Sequence, residues 1–482
     1  MLKYAIVVIL ALQVAMPAIA HETDIAARER NRAIVNAAYE EKLRTCGDDP
    51  NMLILPGLVA DSTGKTVRIT CEATGMKKTD PAEFLVIAEN SDHDYEAFAV
   101  SLAKPSDIHK ALEFIGIKPG SPANADKLRF WPKGERVIIT FEWDMPENGD
   151  ADTPSERRRA RAESLMMDKE TGTTLPEDGF VFVGSAWLDD PDHPGKRFYA
   201  ADRLGPNAIV SHYNDHETVL DVPRQAPQGQ VYGRQVPSDA YTFTNAGQII
   251  EVLLEPEYRD GRQRVADIRL KIAPAPGRED TASTIADVAF ELIEGESTVL
   301  AGGNDLKDML AVFERLASDG RDPFVTLDLD PRLKLKVAKD LSLFLRSIDR
   351  IGGIRIEPPP AGQLYYKSFS PGEALRDRAN AVVHPWELRL MQDNDKITGT
   401  LTFVDDVLNE QTGEVTLQVT DYPASTLEEI GRVLEMKDKF DRPLGLIVAV
   451  VFAPADMEYR ALMTYVGKVL ETRPTVWVFA EE

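Results

Sequence analysis

The segment Ser91–Gly120 constrains the fold most, because it passes from strand pattern to helix pattern within a few residues. Glu96–Leu102 is apolar at nearly every position, including Phe98 and Val100, which predicts a largely buried strand. Pro105 stands where a helix can begin, Ser106 and Asp107 supply polar groups to its first turn, and Gly116 and Gly120 can end it. Ile108, Ala111, Leu112 and Ile115 follow at i, i+3, i+4 and i+7, which puts them on one helical face.

The surroundings of this helix read as sheet. Asn51–Val59, Thr66–Cys71 and Glu83–Ile87 predict strands before it, with Asp61–Lys65 as a turn. Gly134–Trp143, Phe180–Trp187, Arg197–Ala201, Ala208–Ser211, Gln248–Glu255 and Val265–Ala273 predict strands after it. Two readings of Met145–Gly179 stay open. Thr153-Pro154-Ser155-Glu156 has the form of a capping box opening a helix. The other reading makes Ala162–Met167 a strand and Lys169-Glu170-Thr171-Gly172 a hairpin turn. The basic run Arg157–Arg161 is expected on a solvated face. Asp24–Arg44 predicts a helix within residues 21–50, residues 51–276 form one β-rich domain, and Pro274–Gly277 marks its end.

The C-terminal part repeats itself. Ser297–Ala301, Asp305–Ser318, Phe324–Leu329, Lys334–Asp349 and Ile354–Ile356 alternate strand and helix, and the order recurs in Glu414–Thr420, Ser425–Asp438, Leu446–Phe452, Asp456–Leu470 and Thr475–Phe479. Arg321-Asp322-Pro323 before one central strand matches Asp441-Arg442-Pro443 before the other. Two small βαβαβ modules are expected at residues 281–360 and 414–482, joined by a linker at 361–413 whose short strands, Trp386–Met391 and Ile397–Val404, can add to the second module. The fold class is therefore α+β: a β-rich N-terminal domain with one packed helix, then two α/β modules.

Charge and targeting narrow the function. The net charge of −24 disfavours a nucleic-acid partner and anionic lipid surfaces, since both are polyanionic. Lys3, the apolar run Ala5–Met16 and Ala18-Ile19-Ala20 read as a secretory signal peptide over residues 1–20, cleaved near Ala20. The mature chain is expected to be soluble and periplasmic or secreted, with no membrane span. Cys46 and Cys71 are then expected to form a disulfide.

Two resemblances add to this. Leu55-Pro56-Gly57, His93-Asp94-Tyr95-Glu96, Lys104-Pro105-Ser106-Asp107-Ile108-His109 with Ala111, Leu112 and Gly116, then Gly184-Ser185, Tyr199-Ala200-Ala201-Asp202 and Asp221-Val222-Pro223, resemble the YdjY-domain family of exported proteins over about residues 51–273. That family implies no activity, but its threonine-glycine turn favours the strand reading of Ala162–Gly172. Asp330 with Leu333, Leu335 and Ala338, and Pro454 with Met457, Tyr459 and Leu462, resemble the periplasmic domain of ExbD/TolR proteins. The transmembrane helix and proton-carrying aspartate of that family are absent here, so the resemblance implies a docking role only.

The candidate chemistry is sparse. His212 and His216, with Asp215 and Glu217 beside them, would share a face if helical and are the candidate metal ligands. Asp189-Asp190-Pro191-Asp192-His193 reads as a solvated turn ahead of a calcium loop. His93 and His109 flank the opening segment and form a candidate acid–base pair, with local capping the simpler account. No phosphate loop or nucleophile elbow is present, and no cofactor or catalytic residue is expected. The expected function is an exported binding or scaffold protein with an envelope protein or cell-wall component as partner. The alternative is a metal-binding protein or metal-dependent enzyme.

Overall fold

The computed structural model describes residues 22–146, 155–360, 362–369, 386–394, 396–408, 411–437, 448–473 and 475–481. The expected signal peptide lies outside them, as do Thr153-Pro154 and Asp441–Pro443. Among the described residues no helix is long and apolar enough to cross a membrane.

The chain is a sheet-rich α+β protein. It opens with α1 (Glu22–Cys46), followed by β1 (Met52–Leu55), β2 (Leu58–Asp61), β3 (Thr66–Ala73), β4 (Phe84–Ala88), β5 (Ala97–Ser101) and α2 (Pro105–Phe114). Next come β6 (Arg136–Pro146), β7 (Ser155–Arg161), α3 (Ala162–Leu165), β8 (Met166–Asp168), β9 (Phe180–Phe182), β10 (Trp187–Asp189), β11 (Arg197–Tyr199) and α4 (Ala200–Arg203). The first part ends with β12 (Ala208–Ser211), β13 (Leu220–Asp221), α5 (Gln228–Val231), β14 (Gln235–Pro237) and β15 (Ile249–Pro256).

Eight of these strands close into a barrel in the order β3-β15-β6-β9-β13-β12-β4-β5, with β5 pairing back onto β3. Closure removes the free sheet edges that an open sheet would expose. Two long strands make it possible by forking. β3 pairs along one side with β15 and on the other first with β2, then with β5. β6 does the same with β15 on one side and with β9 and β7 on the other. The interior is filled by Val67, Ile69, Phe98, Ile139, Phe141, Phe182 and Ile250.

Helix α2 forms where the pattern predicted it. Ile108, Ala111, Leu112 and Ile115 join the barrel core, and the helix lies against β1, β2 and β3. The capping-box reading of the Met145–Gly179 segment fails, because Ser155–Arg161 is strand β7 at the barrel rim. Its arginines face acids: Arg157 Nη2 is 2.7 Å from Glu251 and 3.2 Å from Glu142. Asp168 then closes a tight turn, accepting from the amides of Glu170 and Thr171.

The expected disulfide is absent, and Cys46 and Cys71 are free thiols. Glu72 points at α1, where its Oε2 accepts a 3.0 Å bond from Asn31. Strand alternation therefore turns Cys71 the other way, into the barrel core. Cys46 lies about 22 Å further along α1 from Asn31 at the helical rise, far beyond the ~7 Å that a bridge allows. We predict that a thiol reagent modifies Cys46 in the folded protein and reaches Cys71 only on unfolding, because burial raises the Cys71 pKa. Mass spectrometry under non-reducing denaturation should find two free thiols; one would contradict the structure.

The C-terminal repeat is longer than its sequence pattern. The first copy comprises β16 (Val265–Pro274), β17 (Val288–Glu294), β18 (Thr298–Gly303), α6 (Leu306–Ser318), β19 (Asp322–Leu329), α7 (Leu335–Arg350) and β20 (Arg355–Ile356). The second comprises β21 (Trp386–Asp393), β22 (Lys396–Leu408), β23 (Val415–Ala424), α8 (Leu427–Lys437), β24 (Val448–Pro454), α9 (Tyr459–Leu470) and β25 (Thr475–Glu481). Each makes a five-stranded sheet, β18-β17-β16-β19-β20 and β23-β22-β21-β24-β25. The expected βαβαβ string is present in both, but a hairpin partner pair stands between its first two strands. β16 and β17, like β21 and β22, insert there, so each first helix crosses over two strands. This departs from the compact module that the ExbD/TolR resemblance implied.

The two copies meet about a pseudo-two-fold axis. Leu335 N–H donates to Met457 O (2.8 Å) and the equivalent Tyr459 N–H donates to Leu333 O (2.7 Å). Lys336 N–H to Ala455 O (2.9 Å) and Arg460 N–H to Pro331 O (2.8 Å) form the next reciprocal pair. Lys334 and Glu458, equivalent positions, face each other as an antiparallel bridge. The positions that carried the sequence repeat are thus the ones that join its copies, and one hydrophobic core runs through both sheets.

A buried charge cluster locks the barrel to the first C-terminal sheet. Asp322 at the start of β19 receives Arg136 from β6 (2.8 Å), Arg264 (3.1 Å) and Arg355 from β20 (3.1 Å). Beside it Trp131 Nε1 donates to Asp349 of α7 at 2.6 Å, and Tyr366 donates to the same carboxylate.

Candidate functional site

The candidate site is built on the outer wall of the barrel, where β4, β5 and β12 run side by side. β4 and β5 are buried on both faces. Phe84 and Ile87 of β4 and Ala97 and Val100 of β5 form a small second core with Ala208 and Tyr213. The cover is the loop that leaves β12. Ser211 Oγ donates to the carbonyl of Tyr213 (2.8 Å) and accepts from its amide (3.2 Å), turning the chain sharply. Asn214 then pins the loop, donating to Asp221 (3.2 Å) and to Arg224 O (2.9 Å). Asp215 Oδ1 accepts from the Glu217 amide at 3.0 Å, an Asx turn that holds its carboxylate in place.

Between this loop and the barrel wall lies a pocket of 290 Å³, lined by residues that include Phe84, His93, Glu96, Tyr213, Asp215 and Glu217, with His216 and Gln228 also at its wall. Phe84 packs at 5.6 Å from the Tyr213 ring and 6.2 Å from His93. Tyr95, 64% exposed, stacks on the outer side of His93. The lining thus sets Phe84 and Tyr213 beside three acids, two histidines and the amides of Asn214 and Gln228. No lining residue is Lys or Arg.

Burial sets the electrostatics. Glu96 and Asp215 are 5% and 7% exposed. Burial raises the pKa of both, and that of Glu217, where the Asp215 charge adds to it. Glu83, at the entrance of β4, is pushed up to about 7 by burial, although the Gly233 amide donates to its Oε1 at 2.8 Å. Asp215 Oδ2 and Glu83 Oε2 are buried and have no hydrogen-bond partner in the protein.

The histidines separate by role. His93 lines the pocket, its Nδ1 2.7 Å from Asp92 and its Nε2 3.9 Å from Glu96. His216 sits at the rim, 3.7 Å from Glu217. His212 lies behind the pocket, 2.7 Å from the Glu83 carbonyl, and burial lowers its pKa to about 4. His109 is elsewhere, on α2, 3.0 Å from the Tyr199 hydroxyl. The acid–base pair of His93 and His109 therefore does not assemble. The metal site of His212, His216 and Asp215 does not assemble either: their segment is a loop, so the histidines share no helical face, and one points inward while the other is exposed. Among the described residues no group of three or more His, Cys, Asp or Glu is placed to hold a metal ion. The Asp189–His193 segment is a solvated turn, with Asp190 paired to Arg203 at 2.8 Å.

The remaining signature residues make one scaffold. Asp202 accepts from the Ser106 amide at 2.9 Å and so caps α2. Ser185 donates to Glu217 O (2.6 Å) and accepts from the Ala201 amide (3.2 Å), which ties the signature to the pocket loop. Tyr199 donates to Gly184 O at 3.0 Å. Residues 58–195 match the YdjY domain. The YdjY match covers most of the barrel wall and His93 and Glu96, while the Tyr213–Gln228 side of the pocket follows it in sequence. Comparison with curated proteins finds no match. Among solved structures, a protein of unknown function with an actin-like ATPase fold from Bacteroides thetaiotaomicron aligns over 46% of this chain and 93% of its own, at 9% identity and a TM-score of 0.13.

Sequence reasoning singled out His93, Asp215 and His216 and named Glu96 and Glu217 as their neighbours, but missed Glu83, Phe84 and Tyr213 as site residues. Glu83 carried a signal: a lone acid opening a strand that is otherwise entirely apolar.

Proposed function

We propose that this chain is an exported, periplasmic binding protein whose YdjY-domain barrel takes a small ligand in the pocket between Phe84 and Asp215. The carrying observation is the 290 Å³ pocket between the β12 loop and the barrel wall, where His93, His216 and the acids Glu96, Asp215 and Glu217 converge. A concave site with a few convergent polar groups is where a small ligand is expected to bind. The reading of Lys3–Ala20 as a signal peptide supports export. The exposed outer edge strands β18 and β23, with Val299 56% and Val419 45% exposed, support docking of an envelope protein by strand addition.

A thermal-shift screen of the mature chain against amines, carboxylic acids, sugars and peptides tests the binding role. A ligand at a hundred times its Kd stabilises by about 2.7 kcal/mol, which moves Tm by a few degrees. No stabilisation from any class would remove the reading. Export is tested separately by fusing residues 1–30 to a reporter that is active only outside the cytoplasm.

A further inference from the structure

We propose that a second site, the groove between the end of α1 and strands β1–β3, binds a zwitterionic ligand with an apolar side chain, either a free amino acid or a short peptide. The groove shares no lining residue with the pocket under the β12 loop.

The groove exists because α1 is anchored at one end. Arg28 and Asn31 bond Glu72 of β3 at 2.5 and 3.0 Å, and Asn31 also donates to Gly247 O at 2.9 Å. Val35 is the last buried residue of the helix. Val35, Ala38, Tyr39 and Lys42 follow one another at i, i+3, i+4 and i+7, so a single helical face continues over the strands. Opposite it, cross-strand pairing lays Met52 beside Asp61, and Ile54 beside Val59 and Arg68, on one side of the sheet. These residues line a space of 360 Å³, within the range of small-molecule sites. Ala38 and Lys42 are exposed and Tyr39, Met52, Val59 and Asp61 are half-buried, so a solute reaches them.

The charges along the groove select the ligand. Arg68 is engaged at 2.8 Å by both Glu142 and Glu251, so the Arg68 and Glu251 charges are answered within the protein. Asp61 gives only Oδ1 to the amides of Thr63 and Gly64, at 2.8 and 2.9 Å. Among the described residues neither Asp61 nor Lys42 has an ion pair. Two opposite charges therefore border one apolar groove without meeting each other. A carboxylate alone would answer Lys42 and an amine alone would answer Asp61. A zwitterion answers both, while its apolar side chain covers Met52 and Val59. Exposed pairs each add little, so the apolar contact supplies most of the affinity and the charges choose among ligands.

Titration calorimetry on the full mature chain tests this with leucine, Leu-Leu-Leu, N-acetyl-leucinamide and decanoate. Leucine or the tripeptide is expected to bind, N-acetyl-leucinamide more weakly, and decanoate not at all. The tighter of the first two identifies the source as a free amino acid or a peptide. Lys42→Met should weaken the zwitterion up to about fivefold and leave its carboxy-terminal amide unaffected. Asp61→Asn keeps an acceptor for the turn amides; it should weaken the zwitterion by a similar factor and leave the N-acetylated ligand unaffected. Ala38→Trp, at an exposed helix position, should fill the groove and abolish binding. Equal binding of charged and blocked ligands, binding of decanoate alone, or silence of all four probes overturns the proposal. A zwitterion that binds Ala38→Trp as it binds the parent also overturns it, since the ligand then sits elsewhere, and the binding role of the β12-loop pocket stands apart from that result.

Discussion

An Asp322→Ala variant is expected to lose about 3–5 kcal/mol of stability, the cost of leaving buried charges uncompensated. Asp322 is 8% exposed and serves three guanidiniums, Arg136, Arg264 and Arg355. Arg136 is 4% exposed, and its Nε and Nη1 already lack partners. Burial lowers its pKa to about 10 even with Asp322 present. Removing the carboxylate leaves two buried cations without their common counter-charge, at the seam between barrel and first C-terminal sheet. The loss should be read from urea melts of parent and variant at neutral pH. Asp322→Asn should fall between them, since it keeps shape and acceptor but not charge.

The same cluster predicts acid sensitivity. Burial alone would raise the Asp322 pKa, but Arg136, Arg355 and Arg264 together hold it below its ordinary 3.8. A depressed folded pKa means the contribution is fully present above about pH 4 and is lost as pH falls through the folded value. Part of the stability lost by the parent chain between pH 5 and pH 2 should therefore be missing in Asp322→Ala, whose acid transition should be shallower.

Gly57→Ala is expected to cost about 1–2 kcal/mol for the left-handed backbone and about 1–3 kcal/mol more for the clash. Gly57 has φ +77°, and a Cβ there would sit 2.6 Å from the carbonyl carbon and oxygen of Leu102 and 2.8 Å from the Ala103 nitrogen. These are backbone atoms, so no side chain can swing aside. The contact matters because Gly57 O accepts from the Thr70 amide (2.8 Å) and Leu102 N–H donates to Thr70 O (3.1 Å), where β3 passes from β2 to β5. Barrel closure depends on that fork. A thermal melt of the variant within a degree of the parent would show that the fork tolerates displacement.

Much of the local structure was legible in the sequence, since it depends on neighbours along the chain. The helix at Pro105–Phe114 follows from its apolar spacing and its proline start, and the strands around it from their turn residues. The strand-helix repeat was visible, and its most similar positions, Leu333 and Leu335 with Met457 and Tyr459, make the reciprocal contacts between copies. Trp386–Met391 and Ile397–Val404 read as strands adding to the second copy, but in the first copy Val265–Ala273 reads as part of the barrel domain and Val288–Glu294 does not read as a strand. Sheet pairing sets the order in the second copy: Trp386–Asp393 stands beside β24, and Lys396–Leu408 lies one strand further out, between β21 and β23.

Tertiary structure alone decided the rest. Barrel closure is set by which edges of β3 and β6 find partners far away in the chain, and period-two alternation is the same for open and closed sheets. The disulfide expectation failed because cysteine count and compartment say nothing about the direction in which Cys71 points. The metal expectation failed because i, i+4 spacing places two side chains together only on a helix, and His212–His216 is a loop. The pocket was half visible, in His93, Glu96, Asp215 and His216. What joins these residues is the packing of the Tyr213–Glu217 loop over β4 and β5, a contact between segments more than a hundred residues apart that no local pattern encodes.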